Sequence, residues 1–291
     1  MMMNLHDAIK SGSILLIDGA MGTSLETYGL EMGGQNCISH SDEVLSVHKS
    51  FSDAGCDILT TNTLTMNRLY IEKHNPGIDV RDVNLAGVRL AKEAARPGQF
   101  ILGDISSTGQ FLEPYGNYSE EQFYATFSEQ AEYLLSGGVD GFIIETVLDL
   151  REALCALQAC RDISSLPVLV TLSFQSTENG GSTIMGNRAS DSAMKLVQAG
   201  ADAVGLNCGH LDPHETSLII SMMRVCVEAP LIAQPNAGKA RLVNNRTVFD
   251  MNRDDFAAGI AECIDAGATI VGGCCGTTPE HISQILSQLF F

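Results

Sequence analysis

The sequence has no tryptophan, few basic residues and no long apolar run, and each scarcity narrows its function. Without Trp, the usual wall of an aromatic box for a quaternary ammonium ligand is missing, leaving Tyr and Phe as substitutes. Lys and Arg number 17 against 35 Asp and Glu, giving a net charge of −18. That balance argues against nucleic acid or an anionic membrane as a partner, since both are held by clustered Lys and Arg. No stretch of about 18 apolar residues occurs, so no membrane span is predicted. The N-terminus lacks a basic region followed by an apolar core, the mark of a signal peptide. An odd number of cysteines, 9, in a chain expected not to be exported reads as reduced thiols and metal ligands rather than a disulfide framework. The expected compartment is the cytoplasm.

At 291 residues and 45% hydrophobic, the chain is long enough to bury a large core. Short apolar, β-branched runs alternate with longer helical patterns. Strands are predicted at 14–18, 58–62, 100–103, 141–145, 168–173, 203–207, 231–234 and 269–273. Helices lie between them, including 120–135, 151–161, 190–198 and 254–265. Nearly continuous apolar strands point to a parallel sheet buried on both faces. Eight βα units predict an α/β fold, a single (β/α)8 TIM barrel over residues 1–291. A weak repeat agrees. Gly55-Cys56-Asp57, Gly138-Val139-Asp140, Gly200-Ala201-Asp202 and Gly267-Ala268-Thr269 each close a helix and open an even-numbered strand. Five residues beyond each third position stand Asn62, Glu145, Asn207 and Cys274, in equal phase. They fall at the strands' C-terminal ends, where such barrels keep their chemistry.

The most informative stretch is Val271-Gly272-Gly273-Cys274-Cys275-Gly276. Adjacent cysteines pair with each other only under strain. Both can ligate one metal if the backbone turns sharply, which flanking glycines permit. Cys208 ends another apolar run, Ala203-Val204-Gly205-Leu206-Asn207-Cys208. Three thiolates from strands six and eight would form a zinc site at the C-terminal end of the barrel, with the open position that catalytic zinc requires. Cys56, Cys155, Cys160, Cys226 and Cys263 sit in helical patterns or at a strand entry and read as small buried hydrophobes.

Other residues have two readings each. Asp18-Gly19-Ala20-Met21-Gly22-Thr23 is either a glycine-rich turn or a backbone nest for a carboxylate, and it lacks the Gly-Lys-Ser/Thr of a phosphate loop. Glu145 follows three apolar residues and needs a cation, either an internal Arg or a substrate ammonium. Asn236, between Pro235 and Ala237-Gly238, either shapes a turn or faces the metal. No histidine pair shows ligand spacing. The loop 109–118 is unusually apolar, and it either covers the barrel mouth or docks a partner.

These residues resemble the homocysteine S-methyltransferase family, in particular the N-terminal homocysteine-binding module of cobalamin-dependent methionine synthases. The likeness runs along nearly the whole chain. It includes Asp18-Gly19-Ala20-Met21-Gly22-Thr23, Thr61-Asn62-Thr63, Gly103-Asp104-Ile105, Leu112-Glu113-Pro114-Tyr115-Gly116, Ile144-Glu145-Thr146, Gly205-Leu206-Asn207-Cys208, Pro235-Asn236-Ala237-Gly238 and Gly272-Gly273-Cys274-Cys275-Gly276-Thr277-Thr278-Pro279. The resemblance implies zinc on Cys208, Cys274 and Cys275, with Asn236 completing the shell when no thiol is bound. It implies that Glu145 and the loop of Gly19, Ala20 and Met21 hold the amino acid end of homocysteine, with Asp18, Asn62 and Asn207 lining the pocket. A free thiol titrates near pH 8.5, and zinc removes its proton, so the implied activity is methylation of homocysteine to methionine.

The sequence stops soon after Cys275, leaving no room for folate, cobalamin or reactivation modules. The expected donor is therefore methylcobalamin on a separate methyl-corrinoid protein. S-methylmethionine or S-adenosylmethionine is the alternative, and betaine is disfavoured by the missing Trp. A different acceptor thiol, or a subunit that only presents a thiol within a larger assembly, are the other readings.

Overall fold

The computed structural model describes residues 3–74, 77–244 and 246–290; the remaining residues of the domain expected over 1–291 lie outside it. Eight strands form one parallel sheet: β1 Leu15–Leu16, β2 Ile58–Thr60, β3 Phe100–Ile105, β4 Gly141–Val147, β5 Val168–Leu172, β6 Ala203–Asn207, β7 Leu231–Gln234 and β8 Ala268–Val271. Each hydrogen-bonds its sequence neighbour from β2 to β8, and β8 pairs with β1. A parallel bridge between Ile17 and Ile58 joins the last two edges, so the sheet curves into the predicted barrel. Four predicted helices are Glu120–Gly137, Leu150–Ile163, Ala189–Gln198 and Arg253–Asp265. Three start where a side chain caps the first turn: Ser119 with Gln122 as a capping box, Asp149, and Asn252. The sequence reading missed two small hairpins, Phe174–Ser176 with Ser182–Thr183 and Arg241–Val243 with Arg246–Val248. Both are inserted in βα loops.

Two apolar clusters follow from the parallel sheet. The larger lies between strands and helices. The smaller fills the barrel, with Ile17, Ile58, Leu102, Ile143, Leu169, Ala203, Ile232 and Ile270. Leu5, Ala8 and Ile9 of the N-terminal helix Leu5–Lys10 belong to this inner cluster and plug the N-terminal end. One pleat period along the strands, the inward residues become polar: Thr60, Asp104, Glu145, Thr171 and Gln234 follow Ile58, Leu102, Ile143, Leu169 and Ile232. The barrel is thus dry below and polar above, which fixes where a ligand can sit.

The Gly-x-Asp repeat acquires a physical role at the dry end. Asp57, Asp140 and Asp202 each accept a backbone N–H from the preceding strand, at Leu16, Ile101 and Val168, all at 2.8 Å. Each returns its own N–H to the carbonyl of the same residue. The fourth position is Thr269, whose hydroxyl finds no partner among the described residues, and there the β7–β8 register shifts between Ala268 and Ile270.

Candidate active site

Cys208 and the Cys274–Cys275 pair leave the ends of β6 and β8, on either side of β7. Their sulfurs all lie within 4.8 Å of one another, and Cys208 Sγ is 3.9 Å from Cys275 Sγ. Zinc–sulfur bonds of about 2.3 Å in a tetrahedron place sulfurs about 3.8 Å apart, so the trio fits one zinc ion. Two backbone features make the approach. Cys208 adopts a left-handed conformation (φ 53°), unusual for a non-glycine residue and characteristic of functional turns. Gly272 packs so closely that an added Cβ would lie 2.4 Å from the Ile17 carbonyl oxygen, which brings the cysteine loop onto β1. In the absence of metal, S–H groups of Cys274 and Cys275 hydrogen-bond to Cys208 and pull its thiol well below the usual range. Those same bonds push Cys274 up, and Cys275 is raised chiefly by Cys208.

Asn236 is 2% exposed. Its Nδ2 donates to the Gly209 carbonyl at 3.0 Å, while its Oδ1 is buried without a partner. Its side chain also hydrogen-bonds to Cys208, so the amide stands at the edge of the cysteine cluster, where a fourth ligand would lie.

A cavity of about 410 Å³ opens beside the cysteines. Its walls include the loop of Asp18, Gly19, Ala20 and Met21, together with Asn62, Glu145 and all three cysteines. The structure therefore gathers most of the predicted residues. Asn236 stands outside this lining, and so does Asn207. Expected in the lining, it is 1% exposed and lies behind the wall. Its Oδ1 accepts Thr146 N–H at 2.8 Å and Thr171 Oγ1–H at 2.9 Å, and its Nδ2 donates to Thr146 Oγ1 at 2.7 Å. It thereby holds Thr146 in a left-handed turn (φ 58°) directly after Glu145, and it reaches Cys274 Sγ at 3.8 Å. Within the first-strand loop, Ala20 N–H is already given to Thr277 Oγ1 at 3.1 Å. The helix Met21–Glu26 that follows has no side-chain cap.

The electrostatics of this cavity are one-sided. Burial pushes Asp18 up to about 7 despite donors from Thr60. Glu145 rises to about 8, first through burial and then through the charges of Asp18 and Cys208, partly offset by the Gln234 amide. Asp104, which the sequence reading did not single out, is raised well above the carboxylate range by burial and by Glu145 and Asp18. No Lys or Arg lines the cavity among the described residues, which removes the internal Arg reading of Glu145. Three acids without a resident cation make a site for a positively charged group.

The loop 109–118 lines no part of this cavity. Leu112 is buried, while Phe111 and Tyr115 are exposed and frame a separate shallow groove with Ile184 and Met185. Of the remaining cysteines, Cys56, Cys155, Cys160 and Cys263 are buried as expected, but Cys226 is exposed. It lies past the end of the helix Pro213–Arg224, on the turn that leaves it.

A family model described as homocysteine S-methyltransferase matches residues 15–289. Methionine synthase of Mycobacterium leprae (strain TN) is 27% identical over 95% of this chain, which covers 24% of that protein. Methionine synthase of Mycobacterium tuberculosis (strain ATCC 25618 / H37Rv) is 26% identical over 97% of the chain and 25% of its own length. The chain thus spans about a quarter of these curated relatives. The metallated form of the homocysteine methyltransferase MmuM from Escherichia coli superposes with a TM-score of 0.77 at 20% identity, covering 95% of this chain and 96% of that one. The carboxyl transferase domain of Rhizobium etli pyruvate carboxylase, with 3-hydroxypyruvate, reaches 0.57 at 14% identity over 94% and 46%. These likenesses establish the shared barrel.

Proposed function

The chain belongs to the homocysteine S-methyltransferase family, and from that premise we propose that it methylates the thiol of homocysteine to give methionine, with zinc held by Cys208, Cys274 and Cys275. The observation that carries this reading is the juxtaposition of three converging sulfurs with a cavity walled by unpaired carboxylates. When bound, zinc supplies the positive charge that lets a thiol lose its proton at neutral pH. The rest falls to the chain's own residues. Glu145 and Asp18 face the substrate ammonium, and the backbone of Gly19 and Met21 faces its carboxylate, Ala20 N–H being engaged by Thr277 Oγ1. Asn62 lines the same wall, its Nδ2 donating to Gly33 O at 3.3 Å. Asn207 positions Thr146, and through it Glu145, against Cys274. Asn236, which hydrogen-bonds to Cys208, would complete the zinc shell when no thiol is bound.

In the transfer itself, the homocysteine sulfur, its proton lost to solvent, forms a bond to the methyl carbon. The carbon's bond to the donor breaks, and the donor keeps that electron pair. A methyl-corrinoid protein is the donor we favour, supported by the relatives named methionine synthase. A small sulfonium donor is the second reading, favoured by the cavity's outer wall of Met32, Leu64, Tyr70 and His74, which leaves room beyond a single amino acid. Incubating the zinc-loaded protein with homocysteine and each donor class, and following methionine by mass spectrometry, tests the proposal. No methionine from any donor would refute it, and the fastest donor decides between the two readings.

A further inference from the structure

Three acidic side chains are fully buried among the described residues, and the fold treats them differently. Glu152 accepts hydrogen bonds from Ser107 Oγ, Thr108 N–H and Thr108 Oγ1. Asp18 accepts from Thr60 N–H and Thr60 Oγ1 at 2.9 and 3.0 Å. Asp104, 4% exposed, has an Oδ1 that meets no donor. Its backbone, by contrast, is pinned on both sides. The N–H donates to Thr61 Oγ1 at 2.9 Å, and the carbonyl accepts from Thr63 Oγ1 at 2.7 Å. The side chain is therefore held in place with its acceptor capacity unused, and it opens into the cavity that Asp18 and Glu145 also line.

We propose that Asp104 is a specificity-determining contact for the substrate's ammonium group, completing with Asp18 and Glu145 a three-carboxylate socket that selects amino-acid thiols over amine-free ones. The proposal rests on the functional reading above and adds a residue to it. An ammonium group carries three N–H donors, and the inner wall presents three carboxyl groups, the exposed Glu31 standing apart from them, with no competing Lys or Arg. Burial raises the titration of all three acids, and neighbouring negative charge raises Asp104 and Glu145 further, so a cation entering the socket relieves both costs. An analogue without the amine leaves those buried carboxylates unpaired, the situation in which a site discriminates most strongly.

The test is calorimetry on the zinc-loaded protein with homocysteine, methionine and 4-mercaptobutanoate, the amine-free counterpart of homocysteine. The wild-type protein should prefer homocysteine over 4-mercaptobutanoate by about a hundredfold or more. Asp104→Asn should weaken homocysteine and methionine about 10- to 150-fold while 4-mercaptobutanoate binds as before. Asp104→Ser provides a second variant, and retained zinc together with retained 4-mercaptobutanoate binding certifies that either variant is folded. Unchanged homocysteine affinity in a folded variant would overturn the assignment. An equal loss for both thiols, which marks a structural role, would do the same. Wild-type protein that binds 4-mercaptobutanoate but neither amino acid would instead overturn the functional reading beneath it.

Discussion

At the N-terminal end of the barrel, Asp57, Asp140 and Asp202 each accept a strand N–H. At the C-terminal end, Asp104 Oδ1 accepts nothing from the described residues and Glu145 has only the Gln234 amide beside it. Residue type and strand setting are alike at the two ends; what differs is whether the fold answers the carboxylate. An answered carboxylate is structure, because its lone pairs replace hydration lost on burial. An unanswered one is a standing cost to the folded state, and its natural explanation is a ligand. The same contrast separates the cysteines. Burial pushes the Cys160 and Cys263 thiols far up and leaves them inert, whereas the three at the barrel mouth lie within ligand distance of one another.

The contrast can be broken at either end. The largest effect is expected from Cys274→Ala, which should abolish tight zinc binding and methyl transfer together while leaving the barrel folded. Metal analysis and circular dichroism check it, and full zinc retention would remove Cys274 from the site. Next comes Glu145→Gln, which keeps shape and loses charge. Homocysteine binding should weaken about 10- to 150-fold, yet urea unfolding should show no loss of stability, because the amide carries no cost of keeping an ionisable group out of water. At the other end, Asp202→Ala leaves Val168 N–H without its acceptor and Arg161 without its partner. It should cost about 1–3 kcal/mol of stability with homocysteine affinity unchanged, and a loss of affinity would show that the two ends are not separable.

The smallest expected effect is a slope with pH. Asp18 and Glu145 titrate at about 7 and about 8 in the folded protein against 3.8 and 4.5 as free groups. The folded state therefore holds protons that the unfolded chain has released. That contribution is complete below the unfolded values and is lost as pH rises through the folded ones. Substrate-free protein should lose stability progressively between about pH 4 and pH 8, and Glu145→Gln should flatten the curve. Urea midpoints across that range decide it, and parallel curves for the two proteins would mean that Glu145 ionises normally.

Much of this was legible in the sequence, for identifiable reasons. Continuous apolar strands at regular spacing, with Gly-x-Asp at the even ones, carry the barrel. The cysteines point to the candidate metal site, because few other arrangements put three thiols at the ends of two strands that flank a third. Asp104 was missed because the third strand was read as ending at Gly103, whereas it runs to Ile105. Extending the alternation from Leu102 by one period finds Asp104, just as Ile143 leads to Glu145. Asn207 was placed in the right phase but on the wrong side of the wall. Periodicity gives the direction of a side chain, and only the packed Thr146 and Thr171 reveal that its amide is already engaged. The inserted hairpins lay beyond reach, since exposed residues such as those of Arg241–Val243 carry no burial pattern.

The closure of β1 onto β8 also has a consequence for how the molecule is made. Leu15 and Leu16 pair with Ile270 and Val271, so strands separated by most of the chain must meet before the sheet loses its edges. Contacts of such sequence separation are slow to form, and synthesis from the N-terminus leaves the first strands waiting for the last. Cys274 and Cys275 emerge directly behind β8. Of the three site cysteines, the nascent chain therefore offers Cys208 alone until the ring is ready to shut, and the segment that brings the closing strand also brings the other two sulfurs. A chain truncated before Ala268 would lose the closing strand and both of these cysteines together.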